Sequence, residues 1–298
     1  FNEDGNLDIL VSNYRLQPNS LWIGSSEGTF QAGEVQKRIE VSTGPQHGHT
    51  IGSAWGDLDN DGHLDLFVGN FSHPRAGQDP PLFLKNLGPA EGFRFSDRTE
   101  AAALNWQESY ASPVLGDFDN DGLLDLFLTA VYRNDHSVLY RNLGDWRFQD
   151  LTEDSGIRTA ETYQAACADF DNDGDLDLVS GGRLWRNELG DSNWLRVRLD
   201  GRTGGSRSAF GARITLRYGP KIQVRQIESA TGEGNQSEET AHFGLGSFEG
   251  EVTLEIQWPD GSLQWISSPV NRLLLVRRSV HVRSQAKGDH WRGRSSGQ

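Results

Sequence analysis

The chain has 298 residues, with 42 acidic against 28 basic side chains for a formal charge of −14, 35 glycines, one cysteine and no methionine. That length suits one large all-β domain or two ordinary ones, and the acidity argues against a nucleic-acid partner, whose phosphates it would repel. The lone Cys167 excludes a disulfide framework within the chain, and there is no apolar run of the roughly 18 residues that a membrane span needs.

The first element is an acidic segment, Asn2-Glu3-Asp4-Gly5-Asn6-Leu7-Asp8, and it recurs at Asp57 to Asp65, Asp117 to Asp125 and Asp169 to Asp177. The closing aspartates Asp8, Asp65, Asp125 and Asp177 lie 57, 60 and 52 residues apart, about the length of one four-stranded propeller blade. Each copy runs into a short apolar stretch: Ile9-Leu10-Val11, Leu66-Phe67-Val68, Leu126-Phe127-Leu128 and Leu178-Val179. Such a stretch without polar alternation fits a strand buried on both faces between neighbouring blades. Two further echoes follow in fixed order. One is Leu21-Trp22, Phe83 to Asn86, Leu139 to Asn142 and Leu184 to Asn187; the other is Phe30, Phe95-Ser96-Asp97 and Phe148-Gln149-Asp150. The repeat is therefore a whole blade. The first copy lacks its opening position, which leads us to expect that the chain is truncated at its N-terminus.

The pattern changes near Gly190. Leu195, Val197 and Leu199 alternate with Arg196 and Arg198; Ile214 and Leu216 with Arg213, Thr215 and Arg217; Val252, Leu254 and Ile256 with Thr253, Glu255 and Gln257. A period of two with one polar face predicts antiparallel strands packed on one side only. The expected fold is all-β: about four blades of a partial propeller over 1–190, then a small antiparallel β-sandwich-like domain over 191–281. The polar, Gly/Ser/Arg-rich stretch 282–298 reads as a disordered tail.

The acidic loops follow Asp-x-Asp-x-Asp-Gly-x-x-Asp, in which alternate carboxylates converge on one point and a glycine permits the sharp turn. Hard oxygen donors in that number suit Ca²⁺ better than Mg²⁺. The expected ligands are Asp57, Asp59, Asp61, Asp65 and the His63 carbonyl; Asp117, Asp119, Asp121, Asp125 and Leu123; Asp169, Asp171, Asp173, Asp177 and Asp175. A truncated first loop offers Asn2, Asp4, Asn6 and Asp8, giving about three full Ca²⁺ sites and one partial site. An EF-hand would need glutamate at the twelfth position, where Val68, Leu128 and Ser180 stand.

These loops and their spacing resemble FG-GAP/VCBS repeats, the calcium-loop blades also found in integrin α-chain heads. Trp194 to Arg277 resembles the ASPIC/UnbV domain through Ser208 to Arg213, His242-Phe243-Gly244-Leu245-Gly246 and Trp258-Pro259-Asp260-Gly261. The pairing is similar to the cartilage acidic protein family and its bacterial relatives. The resemblance implies a secreted, cell-surface or periplasmic propeller, often seven-bladed, without an assigned reaction. The sequence departs from that pattern at Ala230-Thr231-Gly232-Glu233-Gly234, where relatives usually carry a more aromatic turn.

Other features read as structural. His47-Gly48-His49 lacks a third zinc ligand, and Cys167 among alanines reads as a small buried strand residue. Asn70-Phe71-Ser72 and Asn235-Gln236-Ser237 are glycosylation sequons. Arg196, Arg198, Arg213, Arg217 and Arg225 are expected on the solvated face of a sheet, or as a basic stripe for an acidic glycan. No elbow serine, phosphate loop or zinc-protease helix occurs. The expected role is extracytoplasmic adhesion or binding of a protein or glycan ligand without catalysis. A carbohydrate-active lyase or hydrolase using the propeller face is the alternative, because paired carboxylates abound.

Overall fold

The computed structural model describes residues 1–15, 17–32, 48–73, 78–188, 190–202, 207–228 and 230–279. The expected tail over 282–298 and His47 lie outside these residues. Four antiparallel meanders come first. The first holds β1 (Ile9–Val11), β2 (Ser20–Gly24) and β3 (Phe30–Ala32). The second holds β4 (His49–Gly56), β5 (Asp65–Phe71), β6 (Leu82–Asn86) and β7 (Phe95–Asp97). The third holds β8 (Tyr110–Gly116), β9 (Asp125–Ala130), β10 (Val138–Asn142) and β11 (Phe148–Asp150). The fourth holds β12 (Ala165–Ala168), β13 (Asp177–Ser180) and β14 (Arg183–Trp185).

The apolar runs after the acidic loops explain how the meanders stack as blades. In β5, Leu66 and Val68 join a cluster with Leu10 of the first blade, while Phe67 points the other way into a cluster with Leu126 and Leu128 of β9. Phe127 of β9 turns toward Cys167 and Leu178 of the fourth blade. Alternation along each strand thus feeds two cores, and every residue of β5 and β9 is buried. Each fully buried Leu or Phe contributes about 1.5–3 kcal/mol. The outer faces of the end blades stay open: Ile9 pairs with Trp22 and Val179 with Leu184 at exposed positions.

The remaining strands form two sheets. One has the order β18-β15-β21 and the other β17-β16-β19-β20, from β15 (Asn193–Asp200), β16 (Arg213–Tyr218), β17 (Lys221–Gln226), β18 (Thr240–Gly246), β19 (Glu251–Gln257), β20 (Leu263–Pro269) and β21 (Arg272–Arg277). They enclose a core of Leu195, Val197, Ile214, Leu216, Phe243, Leu254 and Trp258. The antiparallel expectation needs one correction, because β15 and β21 pair in parallel, Leu195 opposite Arg272 through Asp200 opposite Arg277. Five intervening strands and their crossings bring β21 back beside β15, a long-range connection that polarity alternation does not encode. The expectation of packing on one side only fails as well. Arg196 and Arg225, on the polar faces of β15 and β17, are both buried against the blades.

Both sequon asparagines are buried too. Asn70 accepts from Thr50 Oγ1 at 2.6 Å and Asn235 accepts from Ala165 N at 3.2 Å, so neither is available for glycosylation in the folded chain.

Candidate metal centres

The three complete loops share one backbone solution. Asn60, Asn120 and Asn172 adopt φ of 56°, 57° and 62°, and the glycine two residues later, Gly62, Gly122 or Gly174, adopts 95° to 101°. Asparagine tolerates the first conformation, and glycine alone takes the second without strain. The turn is then pinned by its own carboxylates. The lead aspartate accepts from the glycine amide, at 2.9 Å for Gly122 N to Asp117 Oδ2. The fifth-position aspartate accepts two residues ahead, as in Leu123 N to Asp121 Oδ1 at 2.9 Å.

Asp57, Asp59 and Asp61 bring one carboxylate oxygen each within 4.8 Å of one another, as do Asp117, Asp119 and Asp125, and Asp169, Asp171 and Asp177. At every lead position, Asp57, Asp117 and Asp169, Oδ1 is buried without a hydrogen-bond partner in the protein. An unpaired buried carboxylate oxygen is costly, and burial accordingly pushes Asp57 and Asp117 up to about 7. The same unpartnered oxygen at three equivalent places is what a hard divalent cation satisfies.

The closing aspartates do more than the motif suggests. Asp65 accepts from Leu58 N at 2.9 Å and Asn86 N at 2.8 Å, and Asp125 from Phe118 N at 3.0 Å and Asn142 N at 2.8 Å; Asp177 repeats the arrangement. Each therefore ties its loop to the third strand of its own blade. Asp8 makes the corresponding tie to β2 of the first meander, accepting from Gly24 N at 3.0 Å, and holds the Phe1 amine at 2.8 Å. Asn2 and Asp4 bond to each other, Asn6 N donates to Asp4, and the first loop contributes no three-carboxylate group among the described residues. The side chains of His63 and Asp175 serve elsewhere. His63 bonds Glu3 at 2.7 Å, and Asp175 accepts from Asn120 Nδ2 at 2.8 Å.

Two recurring residues had no role in the sequence reading. Asn86, Asn142 and Asn187 end the second echo, and each amide nitrogen donates to two loops at once. Asn142 Nδ2 reaches Leu124 O of its own loop at 3.0 Å and Leu58 O of the preceding loop at 2.8 Å, and Asn86 and Asn187 do the same one blade on either side. They staple adjacent blades. Asn142→Leu should leave those buried carbonyls unsatisfied and lower stability by about 2 kcal/mol, measured by denaturant melts; an unchanged midpoint would remove the staple role. The preceding basic residue covers the loop mouth: Lys85 pairs with Asp59 and Asp61, Arg141 with Asp119 and Asp121, Arg186 with Asp171 and Asp173. The signal for both was present in the echoes, but its meaning required the blade register.

The C-terminal sheets sit directly on these loops. Gly244 N donates to Asp117 Oδ2 at 3.0 Å, Gly246 N to Asn120 O at 2.8 Å, and His242 Nε2 lies 2.6 Å from Asn120 Oδ1. Arg196 donates to Asp169 Oδ2 at 2.7 Å and to both oxygens of Glu238, while Arg213 pairs with Glu3 and bonds Gly62 O. The arginines expected as a solvated stripe are thus divided: Arg198 and Arg217 are exposed, Arg213 is half-buried, and Arg196 and Arg225 are buried against the loops. The polar sheet face exists because it meets an acidic surface. Cys167 lies in the blade core, where burial raises its thiol to about 11. His49 packs beside Tyr14 and His73, and no three-ligand cluster includes it among the described residues.

The family described as FG-GAP-like repeat matches residues 1–68 and 117–180, and the family described as ASPIC and UnbV matches 202–283. The chain is 30% identical to cartilage acidic protein 1 of Homo sapiens over 264 residues, covering 83% of this chain and 38% of that protein. The Mus musculus protein gives the same figures and the Xenopus tropicalis protein 31% identity. The chain therefore spans about 38% of the length of the curated relatives it matches. Acidic loops at blade spacing, clasped by a two-sheet unit, make this chain a member of the proteins built of FG-GAP-like repeats followed by an ASPIC and UnbV domain.

Proposed function

We propose that this is a calcium-binding, extracytoplasmic propeller protein that acts by binding a protein or glycan ligand, without catalysis. The observation that carries the calcium reading is the buried, unpartnered Oδ1 of Asp57, Asp117 and Asp169 at the same place in three loops. Oxygen-only donors and a flexible turn suit Ca²⁺, and extracellular modules of this kind bind at about 10⁻⁴ to 10⁻³ M, which fits millimolar calcium outside the cell. The domain boundaries follow the same reading, blades over 1–190 and the clasping unit over 191–281. No helix among the described residues is long and apolar enough to cross a membrane.

Calorimetric titration of the full chain should give about three ions, and Asp121→Ala should lose about one. Absence of saturable calcium binding would end this reading. Because burial holds Asp57 and Asp117 near 7, protons compete with the ion there, and the apparent affinity should fall as the pH is lowered through that value. An array of proteins and glycans, probed with and without calcium, tests the ligand-binding role; no calcium-dependent ligand at all would count against it.

A further inference from the structure

The turn Ala230 to Gly234 and the residues up to Glu238 enter the space where β4, β8 and β12 come side by side. Gly232 N donates to Ser53 O at 3.0 Å, Glu233 N to Ser112 Oγ at 2.8 Å, and Glu238 N to Cys167 O at 3.2 Å. The approach is close enough that a Cβ on Gly232, whose φ is 56°, would stand 2.8 Å from Ser112 Cβ. Only glycine fits there. This plug, the clasping sheets and the blades line a partly open cavity of about 140 Å³, walled on the blade side by Leu115, Leu124 and Leu176. On the C-terminal side it is walled by Arg225, Glu228 and His242. The volume is close to that of a cavity that admits one benzene-sized molecule.

The polar wall has its cation already committed. Arg225 donates to His242 O, Val224 O and Gln223 Oε1 at 3.0 to 3.3 Å. The free functions are acceptors. Asn120 Nδ2 donates to Gly174 O and Asp175, so its oxygen faces His242 and the imidazole hydrogen sits on Nε2. That leaves His242 Nδ1 a lone pair, buried and without a partner on a side chain that is 6% exposed. Burial, with Arg225 and Arg196 nearby, holds the ring neutral, its pKa lowered to about 3. The Glu228 carboxyl makes no hydrogen bond or ion pair among the described residues; burial alone raises it to about 8, so above that pH it is ionised and purely an acceptor. Asp117, the lead aspartate of the adjoining loop, also lines the cavity.

We propose that this interdomain cavity binds a small primary amine, its ammonium held by Glu228 with His242 Nδ1 as a second acceptor and its hydrocarbon body against Leu115, Leu124 and Leu176. A cation bearing several N–H donors satisfies acceptors that nothing else in the wall supplies, and the apolar side accommodates a ring or short chain but no charge. The site borders the loop that begins at Asp117, but neither Glu228 nor His242 is a ligand of a cation loop, so the proposal does not depend on the calcium reading.

The test titrates benzylamine, and benzyl alcohol as its uncharged counterpart, into the calcium-saturated full chain by calorimetry at about pH 8.5, where Glu228 is ionised, with Glu228→Gln as the variant. Saturable one-to-one binding of benzylamine is expected, weakened at least about tenfold for benzyl alcohol and for Glu228→Gln, the loss of one charge-assisted contact. Failure of benzylamine to saturate, or equal affinity for the alcohol, overturns the proposal on the unaltered chain, whatever the variant's folding. Undiminished binding by a folded Glu228→Gln chain overturns it too, placing the amine on the acidic loops.

Discussion

Arg196→Met is expected to cost the folded protein about 3–5 kcal/mol, although a polar strand position that alternates with Leu195 and Val197 would ordinarily be tolerant. The guanidinium is 4% exposed and the Asp169 carboxylate 0%, with 2.7 Å between them. The same guanidinium holds Asn172 Oδ1 at 3.1 Å, the Asp169 carbonyl at 3.3 Å and both Glu238 oxygens near 3 Å. Methionine preserves much of the packing but leaves two carboxylates, one of them fully buried, without their guanidinium partner. Removing one partner of such a pair costs far more than the pair contributes, because the other charge stays desolvated. Arg196 lies on β15 and Asp169 in the fourth acidic loop, so the loss should appear first as weakened docking of the clasping sheets, seen as faster amide exchange at Gly244 and Gly246. Arg198→Gln, exposed on the same strand, is the control and should change stability by about 0.5 kcal/mol or less. A midpoint for Arg196→Met matching that control would show that the cluster is not a buried partner network.

Arg196 also marks where the sequence stops being informative. The acidic loops were legible because their ligands are local: five positions within nine residues, a glycine where the backbone turns back, and the same spacing repeated. The apolar runs after them were legible as doubly buried strands, and β5 and β9 are buried at every residue. Alternation on β15 correctly gave one apolar face, since Leu195, Val197 and Leu199 lie in the core. It could not say that the other face meets a second folded surface. Asn142 was visible as an echo, but its two carbonyl partners, Leu58 and Leu124, come from adjacent blades, and only their stacking brings them together. The parallel pairing of β15 with β21 and the passage of Gly232 beside Ser53 and Ser112 depend on contacts between residues far apart in sequence. Local chemistry was readable, whereas partnerships across blades were not.

Chelation should destabilise the chain by about 4 kcal/mol near neutral pH, and the difference should close as the pH falls. With a dissociation constant of about 10⁻⁴ M and about 1 mM free ion, each loop adds roughly 1.4 kcal/mol, and three loops give the sum. Against a typical total of about 5–15 kcal/mol, that is a large share. The pH trend follows from the lead aspartates. Asp57 and Asp117 are raised to about 7 by burial, from an ordinary 3.8, so the folded chain without metal binds protons more tightly than the unfolded one. Their contribution is fully present below the unfolded value and is lost as the pH rises through 7, so in chelator stability should increase on acidification from about pH 7 toward about 4. In calcium the same carboxylates must be deprotonated to hold the ion, so its contribution grows in the opposite direction. Paired melts in calcium and in chelator should therefore be widest apart at about pH 8 and converge by about pH 5. Curves that coincide at every pH would mean that the loops close on their own hydrogen bonds and on Lys85, Arg141 and Arg186, leaving nothing for an ion to stabilise. A constant gap would instead place the ion at carboxylates other than Asp57 and Asp117.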